Sequence, residues 1–398
     1  MTPQVLVVGA GPAGLVAAIT LARYRIPTLL VEKRARISTL SRALVISTRS
    51  MEILRSWGLE DAVRAGAADV EPCGWVTHTL NAGEGTVIRL GYPTAAEAAE
   101  VSPTRPAWAA QDHVEPLLLA LLHDYPAAEV RFGAELVGLE QNETHAVASI
   151  ADQESGRIEH VQPLFVIGAD GAHSAVRAEL AIAMDGRDDL AEFQSVQFRA
   201  PLTEVVGEHR FGLNLIRHPD AAGVLAPRGR DDRWTYAREW RSGQERLDTC
   251  SEERLVELIA TAVGTPYPRP AIERVSTFRF AAQIADRYRD RRCFLVGDAA
   301  HRMTPRGGTG MNTAIQDSYD LAWKLAWVLQ GWAGPELLDS YETERRPVGL
   351  HNVTRSADPN GAEMQADEAL AWDLNGRLHH HWLDQNGKRV STLDLLGE

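Results

Sequence analysis

Four groups of residues have the types and spacing that binding chemistry needs. In the first, Gly9, Gly11 and Gly14 follow a short apolar run at residues 4–8 in G-x-G-x-x-G order. Gly9 permits a tight turn, Gly11 leaves room for a pyrophosphate to approach the backbone, and Gly14 lets a helix sit close on a strand. Pro12 and Ala13 open that helix, whose free N–H groups and positive dipole end would face the phosphates. A second apolar run at residues 28–31 leads into Glu32 and Lys33. The Glu32 carboxylate lies eighteen residues after Gly14, where it can accept from both hydroxyls of a ribose. Strand, helix, strand and terminal acid together make a βαβ unit for a dinucleotide. The motif by itself does not separate NAD from FAD.

The second group, Gly168-Ala-Asp170-Gly171, closes an apolar strand at residues 164–167, with Arg177 in the helix that begins near Ser174. Asp170 can hold a ribityl or ribose hydroxyl, or cap its own turn. Arg177 can pair with Asp170 or with a phosphate. The third group, Gly297-Asp298, ends a buried strand that starts at Cys293. The fourth follows closely: Pro305, then Gly307, Gly308 and Gly310, opening into a long helix expected from Met311 to Gln330 with Asn312 in its first turn. No G-K-S/T is present, which argues against a nucleotide triphosphate. A helix start there suits the N1/O2 edge of a reduced, anionic flavin, and Asp298 suits a ribityl hydroxyl.

These groups need elements to hold them. Arg42 sits in the loop before a helix at residues 48–57, whose Met51, Leu54 and Trp57 share a face. It is either a surface ion-pair residue or a positive charge beside the cofactor. Gln111 opens another amphipathic helix, with Asp112 as its expected N-cap. Residues 129–140 alternate as one strand, and a polar hairpin covers 141–162. Short strands are expected at 75–80 and 87–90. Between 196 and 240 the alternation of Val196 and Phe198, of Phe211, Leu213 and Leu215, and of Trp234 and Tyr236 predicts a sheet with a large aromatic face. That face is either plain core or a floor for a flat aromatic ligand. A charged helix end is expected at 342–346, before Pro347, and a helix at 363–374. His379, His380 and His381 are consecutive, so they share no helix face and read as a solvated run.

The 398 residues allow two domains and a tail, with ordinary hydrophobic (44%) and charged (24%) content. The net charge of −13 disfavours nucleic acid and anionic membranes. No apolar run is long enough for a membrane span, and no signal peptide is expected. Cys73, Cys250 and Cys293 lie far apart, which argues for a cytoplasmic protein without a disulfide framework, a zinc site or a redox cysteine pair. No metal is expected.

The order G-A-G-P-A-G, Gln111 before a helix, G-A-D-G-A-H-S-A-V-R, then G-D-A-A-H-R-M-T-P-R-G-G-T-G-M-N-T-A-I-Q-D resembles the class A flavoprotein monooxygenases with the para-hydroxybenzoate hydroxylase fold. The stretches S-R-A-L-V-I-S-T-R-S-M-E-I-L-R and W-K-L-A-W-V-L-Q-G resemble the aromatic polyketide hydroxylases among them. The resemblance covers about residues 4–355 and implies an α/β fold. An FAD-binding Rossmann-like (GR2-type) domain would take residues 1–70, 102–178 and 275–355. An inserted, mostly antiparallel β-sheet substrate domain would take 71–101 and 179–274, and a helical tail 356–398. In relatives of this type the chain often continues into a thioredoxin-like domain, and residues 391–398 look like its opening.

The resemblance also implies site roles. Gly9, Gly11, Pro12, Ala13, Gly14, Glu32 and Lys33 would hold the ADP half of bound FAD, with Arg42, Gln111 and Val137 along the cofactor. Asp170 and Gly171 would serve FAD and a transient NAD(P)H. Gly297 and Asp298 would meet the ribityl chain, Pro305 the flavin, and Gly308, Gly310, Met311 and Asn312 its pyrimidine edge. Arg42, Tyr236 and Pro305 are the candidate catalytic residues, and Phe211, Leu213, Trp234 and Tyr236 the candidate substrate pocket. The implied reaction reduces FAD with NAD(P)H, forms a flavin C4a-hydroperoxide with O₂ and hydroxylates a phenolic ring, in a monomer or homodimer. Baeyer–Villiger insertion on a polyketide ketone and a non-catalytic FAD-fold carrier are the alternatives. The absence of W-x-W-x-I-P disfavours a flavin halogenase.

Overall fold

Val5–Val8 (β1) and Thr28–Glu32 (β2) are buried along their whole length. Apolar runs without alternation take this place when both faces of a parallel sheet are covered. Pro12–Arg23 (α1) connects them, after a turn in which Gly9 has a φ of +104°. The computed structural model describes residues 2–40, 42–266, 268–360, 366–377, 379–385 and 388–395. Two compact units share the chain: Met1–Ala43, Gln111–Arg187 and Ala282–Asp358 form the first, and Leu44–Ala110, Asp188–Ala281 and Pro359–Glu398 the second.

The first unit holds a six-stranded sheet in the order β15-β16-β9-β1-β2-β5. Here β5 is Ala128–Phe132, β9 Phe165–Gly168, β15 Arg289–Asp290 and β16 Cys293–Leu295. Val8 lies opposite Gly168, and Gly168 opposite Leu295. The turns after β1, β9 and β16 therefore leave from one carboxyl edge, which is where open α/β sheets bind ligands. α1 packs on Gln111–His123 (α5) and Gly310–Leu329 (α9), so it is buried on nearly all sides. Asp112, expected as an N-cap, lies inside the first turn of α5.

Residues 129–140 form two strands rather than one, because Gly133 turns the chain at a φ of +69°. Ala134–Gln141 (β6), Ala146–Asp152 (β7) and Ile158–Val161 (β8) make a separate three-stranded sheet. Ala175–Glu179 (α6) is short. Asp339–Ala357 (α10) runs straight through Pro347, where an end was expected. Tyr341, Arg345 and Val348 are buried on both sides of the proline. Their packing outweighs the one backbone hydrogen bond the ring removes.

The second unit is built on an eight-stranded sheet, β17-β14-β10-β13-β12-β11-β3-β4. Its strands are Glu71–Thr77 (β3), Gly85–Arg89 (β4), Met184–Arg199 (β10), Phe211–Ile216 (β11), Gly223–Pro227 (β12), Arg233–Trp240 (β13), Ala271–Ala285 (β14) and His301–Arg302 (β17). The division between units falls inside β10 and β14, and β17 belongs to the first. Helices Thr48–Ser56 (α2), Glu60–Gly66 (α3), Ala95–Val101 (α4), Thr203–Val206 (α7) and Glu252–Val263 (α8) complete it. α4 has a full capping box between Thr94 and Glu97, a T-x-x-E signal absent from the strand pattern expected there.

Residues 44–70 and 102–110 lie in this second unit, not with the dinucleotide-type sheet. Backbone bridges from Ile46 to Ala107 and from Ala68 to Trp108 tie them together. Residues 359–398 also belong here, and the tail is not wholly helical. Ala366–Asp373 (α11) is followed by the hairpin Trp382–Gln385 (β18) and Lys388–Ser391 (β19). The first residues of the helix expected at 363–374, and the last three of the stretch 391–398, lie outside the described residues. Arg49 N–H donates to Asp373 at 2.9 Å, and Arg55 pairs with Asp394 at 2.9 Å.

Candidate functional site

At the carboxyl edge of the first unit's sheet, glycines let three turns approach within contact. Any Cβ on Gly9 would overlap the backbone of Ala169 and Asp170, and one on Gly14 the carbonyl of Gly9. A Cβ on Gly297 would lie 3.3 Å from that of Ala13 and 2.9 Å from that of Ala314. Ala13 in the first turn of α1 and Ala314 one turn into α9 thus flank one glycine. Neither helix has a side-chain cap: the N-cap residues Gly11 and Thr309 make no such bond. Two uncapped helix starts side by side form a site for anions. A Cβ on Gly11 would meet nothing within 4 Å, so that side of the loop is open for a pyrophosphate.

Carboxylates border this opening. Glu32 is buried, and its oxygens accept from Ala10 N–H at 2.9 Å and Arg34 N–H at 3.0 Å. Lys33 beside it is exposed. Asp298 is reached by solvent, yet desolvation raises its pKa above the usual range against the pull of His301, Arg42 and Arg302. Asp170 accepts from Ser174 Oγ at 2.5 Å and Val176 N–H at 3.1 Å, so both its oxygens cap α6. Arg177 donates to the carbonyls of Ala172 at 2.9 Å and Ala299 at 3.0 Å. It ties the second turn to the third, where a pair with Asp170 or with a phosphate was expected.

The fourth group is a braced loop. Gly307 and Gly308 take positive φ. Thr304 Oγ1 donates to Ser356 O at 2.7 Å, and Asn312 Nδ2 donates to Gly308 O at 3.0 Å. Pro305 is exposed at the head of this loop, and Gly310 and Met311 start α9. Arg42 is exposed, and its charge acts on both Asp298 and Glu115. Val137 is exposed on β6 at the register shift between Leu136 and Gly138. Gly171, at a φ of +82°, has open space where a Cβ would be.

Sequence spacing alone missed two supporting groups. Asp317, inside α9, meets His301 Nε2 at 2.5 Å and Arg345 Nε at 2.8 Å, all three buried. Burial raises the Asp317 pKa, but His301 and Arg345 outweigh it and hold the carboxyl below its ordinary value. Gly297 N–H also points at Asp317, 3.4 Å away. This network lies directly behind the Gly297-Asp298 turn. The second is Glu115, one helical turn beyond the expected cofactor residue Gln111 on α5 and joined to it at 2.6 Å. The signal for each was an acid on a face otherwise facing the core.

In the second unit the expected substrate pocket divides. Trp234 and Tyr236 belong to a hydrophobic core with Val196, Phe198, Leu225 and α8. Tyr236 is fully buried, donates to Ala222 O at 3.2 Å, and burial pushes its pKa up to about 12. It packs the core and cannot serve as an acid–base residue there. Phe211 stacks on Trp75 at 5.4 Å, and Leu213 packs beside a separate cluster of Val45, Leu90, Tyr92 and Trp108. Strand alternation puts Gln197 and its partner Thr235 on the sheet face away from α8. Half-buried Leu213, Leu215 and Val224 share that face.

Among the described residues, no cluster of His, Cys, Asp and Glu could hold a metal, and no helix is long and apolar enough to cross a membrane. Residues 2–356 match the family model described as an FAD binding domain. The chain belongs to that family. The FAD-binding chain is 38% identical, over 99% of its length and 90% of the relative's, to an aklavinone 12-hydroxylase of Streptomyces peucetius subsp. caesius. A tetracenomycin A2 monooxygenase-dioxygenase of Streptomyces glaucescens is 33% identical over 99% of this chain and 80% of its own. Among solved structures, an aklavinone-11 hydroxylase in a ternary complex with FAD and aklavinone superposes with a TM-score of 0.85 at 31% identity, covering 99% of this chain and 82% of its own. The FAD-binding chain thus has the α/β fold of FAD-dependent monooxygenases, and the uncapped helix starts and bordering carboxylates fit that cofactor.

Proposed function

We propose that the chain is an FAD-dependent monooxygenase that hydroxylates the phenolic ring of an aromatic polyketide, using NAD(P)H and O₂. The observation that carries this reading is Gly297 between Ala13 and Ala314, which joins two anion-seeking helix starts in one cofactor cradle. FAD, when bound, supplies the redox chemistry, passing electrons from the nicotinamide to O₂. The N–H groups of the first turn of α1 hold the pyrophosphate. Glu32, already oriented by two backbone donors, accepts the ribose hydroxyls. Asp298 takes a ribityl hydroxyl. The start of α9, with Asn312 bracing Gly308, places positive potential beside the ring and favours negative charge on it.

The second unit's sheet face with Leu213, Leu215, Val224, Gln197 and Thr235 takes the substrate. Its apolar side chains suit a flat ring system, and its two polar ones suit phenol or ketone oxygens. The relatives named for tetracenomycin A2 and aklavinone, and one named a putative polyketide hydroxylase, support this class. A cytoplasmic site of action and a monomer or homodimer complete the proposal.

The test is NAD(P)H oxidation by the yellow, FAD-loaded protein against a panel of aromatic polyketides, with product structures solved by NMR. One new phenolic oxygen on a ring carbon is expected. Oxygen inserted beside a ketone would replace hydroxylation with Baeyer–Villiger chemistry. FAD binding without NAD(P)H consumption on any panel member would leave a carrier.

A further inference from the structure

Glu115 has a position that the proposed chemistry does not use. It is 1% exposed, in the middle of α5. Oε1 accepts from Gln111 Nε2 at 2.6 Å, while Oε2 is buried with no hydrogen-bond partner. An amide that donates from its nitrogen on one side must present its carbonyl on another. The Glu115–Gln111 bond therefore sets which end of the Gln111 amide faces outward.

The charged groups that act on Glu115 are Arg34 and Arg42, from the loop after β2, and Glu32 at the end of β2. The charged groups on α1 and β5, which pack on α5, have partners of their own: Arg23 donates to Tyr125, and Glu129 pairs with Arg131. Burial pushes the Glu115 carboxyl up to about 7, against the pull of Gln111, Arg34 and Arg42. Arg42 also acts on Asp298, so Glu115 and the cofactor cradle share one cation.

We propose that Glu115 is a positioning residue for the cofactor: its buried carboxyl fixes the Gln111 amide with the carbonyl outward, and its proton links FAD retention to pH. This rests on the FAD-binding reading. A bound pyrophosphate competes with ionised Glu115 for Arg42 and disfavours that second negative charge. FAD binding then takes up a proton, and affinity falls as pH rises through neutrality. Glu115→Gln keeps an acceptor for Gln111 and has no charge to lose. Glu115→Leu keeps the bulk and removes the acceptor.

The experiment is FAD titration of the apo-protein, followed by flavin fluorescence, at about pH 6 and about pH 8.5. Wild type is expected to weaken about tenfold between them, since one unit of pKa coupling is tenfold in affinity. Glu115→Gln is expected to change by less than about twofold, and Glu115→Leu to bind about tenfold more weakly at both values. A Gln variant with the wild-type pH slope, or a Leu variant with wild-type affinity, overturns the proposal. If the Leu variant does not fold, the Gln comparison decides alone. FAD uptake with flat pH dependence in wild type would sink this inference and leave the cofactor assignment standing, whereas no FAD uptake at all would sink both.

Discussion

Arg345 donates from Nε to Asp317 Oδ1 at 2.8 Å inside the first unit, with both side chains buried. His301 takes the other carboxylate oxygen. Removing the negative charge leaves a buried guanidinium without its counter-ion, at a cost of about 3–5 kcal/mol. Asp317→Asn should lose that much stability in denaturant unfolding at neutral pH. Because the folded-state pKa is lowered, the Asp317 contribution is present above the unfolded value and fades as pH falls through the folded one. The gap between variant and wild type should therefore close in acid. A loss under about 1 kcal/mol at neutral pH would mean the network carries little.

Gly11 and Gly14 separate binding from folding. A side chain at Gly11 meets no protein atom within 4 Å, whereas one at Gly14 runs into the Gly9 carbonyl. Gly11→Val should fold with an almost unchanged thermal midpoint and purify colourless. Gly14→Val should fail to fold or lose several kcal/mol through backbone overlap. A yellow Gly11→Val protein would remove the pyrophosphate from this turn.

Asp298→Ala tests the ribityl contact. Asp298 is wetted in the protein alone, so apo stability should barely change. FAD affinity should drop about five- to thirtyfold, the equivalent of ~1–2 kcal/mol for one hydrogen bond. Equal dissociation constants for the two proteins would contradict the assignment.

Glu115 should also leave its mark on the apo-protein. A raised carboxyl pKa means that the folded chain holds more protons than the unfolded one between about 4.5 and about 7. Stability then declines as pH rises through that window. Glu115→Gln should flatten the decline, gaining on the order of 2–3 kcal/mol over wild type above neutrality and nothing in acid. Parallel stability curves for the two would exclude a buried, titrating Glu115.

Two neighbours on β13 should behave oppositely. Tyr236→Phe removes one hydrogen bond to Ala222 within a packed core. It should cost about 0.5–1.5 kcal/mol of stability and leave kcat intact. Thr235→Val lies on the opposite face and should raise KM for the polyketide with little change in thermal midpoint. Steady-state kinetics beside a melting curve reads both. Activity lost in Tyr236→Phe but kept in Thr235→Val would turn the substrate to the α8 face.

The local motifs were legible in the sequence because their chemistry is local. A tight turn, a helix start and a strand-end acid each need neighbouring residues at fixed offsets, so Gly9, Gly11, Gly14, Glu32 and Asp298 could be read from spacing. The βαβ unit and the strand character of residues 196–240 followed from periodicity. Periodicity also shows that Trp234 and Tyr236 share a face, but not what covers it. Only the packing of α8 decided that their face is core and that Gln197 and Thr235 lie on the other. Likewise no spacing rule brings Ala13, Gly297 and Ala314 together. The register of β1, β9 and β16 does so, because parallel pairing aligns turns that the chain keeps far apart. Asp317 and Glu115 were silent for the same reason. An acid on a buried helix face has meaning only once its partners, His301 and Arg345 or Gln111 and Arg42, have been folded against it.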